Sequence, residues 1–136
     1  MSVDREILNM QSSDVAAMVS LAGTTAVVTG GGGGIGGGTS RLFAAAGATV
    51  VLNDIDAELA ESAVADIEAD GGTAVAVVGD IREASTVGEL HATATEVAGG
   101  AVDVLVNNVG DYRPNGLFAE TDEEQWAAQY EIQLHH

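Results

Sequence analysis

Thr25-Ala-Val-Val-Thr29-Gly30-Gly-Gly-Gly-Gly34-Ile35-Gly36 is the stretch on which the fold turns. A valine-rich run leads directly into a glycine tract, and helical periodicity begins immediately after it, a context that separates this tract from a merely flexible loop. Each glycine position has a physical task. Gly30 permits a sharp exit from a strand, and a side chain near Gly34 would keep a phosphate from the backbone. Gly36 lets the following helix pack close to the sheet. An anion placed here meets backbone amides at the positive end of a helix, so a diphosphate can be bound without a lysine. The additional Gly37 and Gly38 weaken the helix start by about 1 kcal/mol each relative to alanine. The tract is not a nucleoside-triphosphate loop, which requires Gly-Lys-Ser/Thr at its end.

Outward from this turn the pattern is regular. Apolar runs recur at Thr49–Asn53, Thr73–Val78 and Val102–Val106. They are short, valine-rich and mostly unalternated, as expected of parallel strands covered on both faces. Helical segments lie between them. The first spans Gly36–Ala46, with Gly47 as its C-terminal cap. In Ala57–Asp70 one face carries Leu59, Ala60, Ala63, Val64 and Ile67; in Ser85–Ala98 the stripe is Val87, Leu90, Ala94 and Val97. A last helix starts near Thr121, capped by its hydroxyl with Glu124 three residues on, and sets Trp126 and Tyr130 one turn apart. Strand-helix alternation at this pitch predicts right-handed βαβ units in an α/β doubly wound parallel sheet with helices on both faces. Residues 1–20 read as a lead-in with a short helix around Asp14–Val19, and residues 21–136 as one incomplete nucleotide-binding domain.

Composition narrows the partners. Twenty-one acidic residues face four arginines and no lysine, for a net charge of −17. Such a surface repels phosphate backbones and anionic lipid heads, so neither nucleic acid nor a membrane is expected as partner. The acidic excess reads as a soluble surface and also fits a salt-adapted source. There is no cysteine, hence no disulfide framework or thiolate metal site. The first twenty residues lack a long apolar run, and a cytoplasmic location is the expectation.

The second strand ends at Asn53-Asp54. A carboxylate there can accept both hydroxyls of an adenosine ribose and would repel a 2′-phosphate, so NAD is favoured over NADP.

Taken together these residues resemble the short-chain dehydrogenase/reductase family. The spacing Thr-Gly-x-x-x-Gly-Ile-Gly at Thr29–Gly36 is that of the family. Gly79-Asp80-Ile81 is similar to its Asp-Val pair after the third strand, and Val106-Asn107-Asn108-Val109-Gly110 to its Asn-Asn-Ala-Gly signature, with Val109 in place of alanine. Leu21-Ala22-Gly23 and Phe118…Trp126 also fit, so the resemblance runs from about Leu21 to the end. It implies a Rossmann-type fold with strand order 3-2-1-4 and cofactor-binding roles for Gly30, Gly34, Ile35, Gly36, Asp54, Asp80, Ile81, Asn108 and Gly110. In the family the Asp80 carboxylate meets the adenine amino group, the next residue packs on the ring, and the segment holding Asn108 and Gly110 steadies the sheet and lines the cofactor. The last helix commonly serves dimer contacts, which implies a homo-oligomer through it.

Two departures bear on activity. The family's catalytic asparagine, seven residues past a tryptophan, corresponds to Gln133, whose longer side chain displaces the amide by more than about 1 Å, poorly tolerated by positional catalysis. The family's serine and Tyr-x-x-x-Lys fall beyond His136, and neither Tyr112 nor Tyr130 is followed by a lysine. In such enzymes that tyrosine is the general acid/base and the lysine lowers its pKa. Three readings follow: the cofactor-binding portion of an NAD-dependent oxidoreductase for an alcohol or carbonyl, inactive on its own and meeting a small-molecule substrate only in a full-length form; a non-catalytic dinucleotide-binding module; and a non-functional truncated product. A methyltransferase leaves Asn107–Gly110 without a place. The expected sheet, lacking its remaining strands, leaves the fourth strand as a bare hydrophobic edge.

Other residues attract simpler explanations. His91 lies beside an apolar stripe as a helix-boundary histidine. His135 and His136 diverge by about 100° on a helix and have no third ligand, so no metal site is expected. Asp122-Glu-Glu124 suits a helix N-terminus. Asp111-Tyr112-Arg113-Pro114-Asn115 forms a loop above the cofactor site, either approaching substrate or a polar surface turn.

Overall fold

The computed structural model describes residues 17–111 and 118–134. The expected helix around Asp14 therefore falls mostly outside the described residues, as do Tyr112–Asn115 and the His135-His136 pair. In chain order the elements are β1 (Thr25–Thr29), α1 (Gly34–Ala45), β2 (Thr49–Asp54), α2 (Ala57–Ala69), β3 (Thr73–Val78), α3 (Ala84–Ala98), β4 (Val104–Val106), a single 3-10 turn (Phe118–Glu120) and α4 (Glu123–Leu134).

The four strands form one sheet in the order β3-β2-β1-β4. Every pairing is parallel, with Val27 opposite Val51 on one side and Leu105 on the other. Successive side chains of the inner strands enter different cores. Ala26, Val28, Val50 and Leu52 pack with Ala60, Ala63 and Ile67 of α2 and Ala44 of α1. Val27, Val51 and Val77 pack on the opposite face with Leu90 and Ala94 of α3. Two covered faces are why these strands need no polar alternation. Burying a residue such as Leu52 or Ile67 contributes about 1.5–3 kcal/mol.

Several expected boundaries shift for local reasons. β4 begins at Val104 rather than Val102, because the Asp103 side chain takes over part of the pairing. Its carboxylate accepts from the Thr25 N–H at 2.8 Å, its own N–H donates to the Thr25 carbonyl at 3.1 Å, and Val102 turns into the second core. The helical stripes are also narrower than read. Ala60, Ala63 and Ile67 are buried on α2 and Leu90 and Ala94 on α3, whereas Leu59, Val87 and Val97 remain 37–47% exposed. Small alanines seat the helices close to the sheet, so only the innermost positions are covered. Leu59 instead leans over the glycine turn, near Gly33.

The start of α4 corrects the sequence reading. Its cap is Asp122, whose carboxylate accepts from the Gln125 N–H at 2.8 Å while Gln125 Oε1 accepts from the Asp122 N–H at 3.1 Å. The reciprocal box therefore lies one residue beyond the Thr121/Glu124 pair, with an anionic acceptor at the positive end of the helix. Glu123 and Glu124 fill the first turn. No residue of α4 is buried, and Trp126, Tyr130 and Leu134 are at least half exposed. Among the described residues no helix is long and apolar enough to cross a membrane.

Candidate functional site

The chain runs from β1 outward through β2 to β3, then crosses to β4 on the other side of β1. Beyond the carboxyl ends of β1 and β4 the connections diverge, the place where open α/β sheets form their ligand crevices. A cleft of about 530 Å³ lies there. Its floor comes from Gly30, Asn53, Asp54, Asp80 and Asn108, and Ala128, Gln129 and Ile132 of α4 form the opposite wall.

The glycine turn is shaped by backbone geometry and by close packing. Gly30 has φ +61°, which suits glycine and lets the chain leave β1 abruptly. At Gly36 a Cβ would lie 2.0 Å from the Gly30 carbonyl oxygen and 2.6 Å from Asn108 Nδ2, so α1 can approach the strand end only with hydrogen there. Gly33 is the N-cap of α1, no side chain caps it, and no acid occupies the first turn. A Cβ on Gly34 would meet nothing within 4 Å. The helix end thus presents peptide groups toward open space. Ile35 stands 83% exposed beside it. Gly34, Ile35 and Gly36 do not line the cleft itself; they form its shoulder, and Gly36 is buried.

Asp54 at the end of β2 does two things at once. Its Oδ2 accepts from the Gly32 N–H at 3.0 Å, holding the glycine turn, and its Oδ1 accepts from the Asp56 N–H at 3.1 Å. The carboxylate still borders the cleft, and each oxygen retains acceptor capacity. Asp56 in turn caps α2 through the Glu58 and Leu59 amides.

Asp80 is gripped by Arg82. The Arg82 backbone N–H and Nε each donate to Oδ1 at 3.0 Å, and Nε and Nη2 donate to Oδ2. These hydrogen bonds, the guanidinium first and then the backbone N–H, hold the Asp80 carboxyl below the usual carboxylate range against a small opposing effect of burial. Ile81 is only 6% exposed and packs in the core beneath α3, while still bordering the cleft.

Asn108 fastens β4 to β1. Its Nδ2 donates to the carbonyls of Thr29 and Gly30 at 3.0 and 3.2 Å, and its N–H donates to Thr29 Oγ1 at 3.0 Å. Gly110 lies beneath α4, where a Cβ would sit 2.8 Å from Gln133 Oε1. Gln133 Nε2 donates to the Asp111 carbonyl at 2.9 Å. The extra methylene therefore takes the amide to a backbone tie between α4 and the loop after β4.

The structure brings Gly30, Asp54, Asp80, Ile81, Asn108 and Gly110 to one cleft. It adds residues that sequence reasoning passed over. Thr29 Oγ1 receives the amides of Asn108 and Val109. The Asn53 amide, 1% exposed, donates to the Val77 and Gly79 carbonyls and so places Asp80. Arg82 could have been found from Asp80-Ile-Arg82, a rare cation two residues past an acid in a lysine-free chain; Thr29 heads the glycine motif but nothing local shows what its hydroxyl holds, and Asn53 carries no local signal.

Comparison with known proteins agrees with this geometry. A family model described as short chain dehydrogenase matches residues 24–135. Hydroxyacyl-CoA dehydrogenase ChsB1 of Mycobacterium tuberculosis is 44% identical over 93 residues, 65% of this chain and 28% of that protein. Two solved structures superpose closely. A 7α-hydroxysteroid dehydrogenase complexed with NADH and 7-oxo glycochenodeoxycholic acid has a TM-score of 0.78 at 35% identity, covering 92% of this chain and 47% of its own. A metagenomic short-chain oxidoreductase in complex with NADP has a TM-score of 0.72 at 31% identity, covering 82% and 50%. The chain thus spans about half of each of these structures and less of the hydroxyacyl-CoA dehydrogenase.

Proposed function

The chain belongs to the short-chain dehydrogenase family, whose members bind nicotinamide dinucleotides, and from that premise we propose that it is the cofactor-binding portion of an NAD-dependent oxidoreductase for an alcohol or carbonyl substrate. The observation that carries the reading is the β1–α1 junction: an N-terminus of α1 without a side-chain cap, opening on free space at Gly34, beside the Asp54 carboxylate at the neighbouring strand end. The gap at Gly34 fits a diphosphate, and the carboxylate fits a ribose diol.

In this reading Gly30, Gly34, Ile35 and Gly36 hold the diphosphate and Asp54 the adenosine ribose. Asp80 and Ile81 border the base, and Asn108 and Gly110 form the surface toward the nicotinamide end. Preference for NAD over NADP is supported by two features. Asp54 repels a 2′-phosphate, and the charge of Arg82, the cation lining the cleft among the described residues, is paired with Asp80. When bound, the nicotinamide supplies the hydride acceptor or donor. The residues present here bind, orient and shield; Gln133 positions α4 through Asp111. No Tyr-x-x-x-Lys occurs in the 136 residues, so turnover of a small-molecule substrate would draw its proton-transfer groups from outside them. Exposed Trp126, Tyr130 and Leu134 support contact with a second copy through α4.

Titration with NADH and NADPH, followed by nucleotide fluorescence, tests the reading. NADH should bind at least about tenfold more tightly, a difference of about 1.4 kcal/mol. A folded chain that takes up neither would overturn it.

A further inference from the structure

β3 ends the sheet on the side away from β4: it pairs with β2, and among the described residues no strand lies beyond it. The ladder shows which groups are left over. The Gly79 N–H donates to the Asp54 carbonyl, and the Val77 and Gly79 carbonyls accept from the Asn53 amide. Residues of that parity turn their peptide groups toward β2, so the N–H and C=O of Ala74, Ala76 and Val78 point outward. Edge strands are commonly blunted by lysine, proline, a bulge or brevity. Thr73–Val78 has none of these: it runs six residues without a charge or a proline, in unbroken register with β2. Beside this edge lies a shallow groove of about 370 Å³, lined by β3 from Ala74 to Ala76 and by Glu61, Val64, Ala65 and Glu68 of α2. Helical spacing puts those four on one stripe, an apolar pair between two exposed carboxylates. Neither Glu61 nor Glu68 is in an ion pair among the described residues, and no cation lines the groove. A second copy of the chain would bring its own charge of −17 to such a contact. Like-charge repulsion therefore opposes self-pairing at this edge while drawing cations to it.

We propose that the outer edge of β3, with the Glu61–Glu68 stripe of α2, is a docking site for an extended basic segment of another polypeptide, which adds as a strand outside β3. The incoming backbone pairs with the outward groups around Ala76. Lysines or arginines on its α2 side lay their stems across Val64 and Ala65 and carry their charges to Glu61 and Glu68. The two carboxylates stand about 10 Å apart along the helix axis. Alternate residues of an extended strand recur about every 6.7 Å, so three basic residues bracket both acids. The site is separate from the cleft and does not depend on what the cleft binds.

The test titrates the full chain into a dye-labelled heptapeptide of alternating lysine and threonine, read by fluorescence anisotropy at about 0.1 M salt, with circular dichroism as the folding control. The peptide should bind at least about tenfold more tightly than its fully N-methylated counterpart, which has the same charge and no backbone donors. Ala76→Pro removes an outward N–H and spares the inner ladder, and should weaken binding about three- to tenfold, the scale of one backbone hydrogen bond. Glu61→Gln combined with Glu68→Gln should weaken it about threefold or more. A wild-type chain that does not bind the peptide overturns the proposal. Equal affinity for the methylated peptide, or affinity unchanged in either variant, reduces the contact to bulk charge attraction and overturns it as well. So does self-association that Ala76→Pro abolishes, because the edge then belongs to a second copy. Should Ala76→Pro fail to fold, the peptide pair and the glutamine variant decide.

Discussion

Gly36 has no room for a side chain, since a Cβ would sit 2.0 Å from the Gly30 carbonyl. Gly36→Ala should cost at least about 2–3 kcal/mol through a shift of α1 or of the Asn108 amide, lowering both Tm and nucleotide affinity. Loss of affinity with an unchanged Tm would show that the contact is relieved without strain. In the proposed reading, Asp54 is the residue on which cofactor choice turns. Asp54→Asn keeps an oxygen for the Gly32 amide but removes the charge, so binding of NADPH relative to NADH should rise about tenfold; an unaltered ratio would remove Asp54 from discrimination. The Asp80–Arg82 pair has a pH signature. Because the carboxyl is held below its ordinary range in the folded chain, the pair stabilises the fold above about pH 4 and the contribution is lost as pH falls through the lowered folded value. Both groups are solvated, so the effect is small. The Tm difference between wild type and Arg82→Ala should shrink between neutral pH and about pH 2.

At the scale of elements, stability is unevenly distributed. β1 and β2 are buried along nearly their whole lengths, whereas α4 buries no residue and is tied to the β4 loop by the Gln133–Asp111 bond. Hydrogen exchange should run in that order, slowest in β1 and β2 and fastest in α4, and Gln133→Ala should accelerate exchange in α4 while sparing the sheet. Equal protection throughout would contradict this partition. The strand–helix alternation itself was legible, since valine runs and apolar periodicities are local properties. The Asp122/Gln125 cap was misplaced by one residue because Thr121 and Asp122 both suit a cap and only the helix axis selects between them. The Val87 and Val97 positions were read as buried because periodicity reports a face, not how far the neighbouring layer extends over it.

For the molecule as a whole, the dominant fact is a charge of −17. Its field opposes an anionic dinucleotide, and salt shortens its reach from about 10 Å at 0.1 M to about 3 Å at 1 M. Affinity for NADH should therefore rise several-fold across that range, contrary to the usual screening of a basic phosphate site; a fall would mean that local cations govern binding. The amino acids alone determined the layered α/β plan and the glycine-rich junction, because these follow from residue runs whose conformational preferences are short-range; the strand order β3-β2-β1-β4 was legible only through the family resemblance, since it is set by non-local packing. Only the tertiary structure decided that Asp54 holds the Gly32 amide, that Asn108 closes on Thr29 and Gly30, and that Gln133 draws α4 over the cleft. These contacts join segments far apart in the chain that meet only once the strands and helices are packed, which local periodicity does not encode.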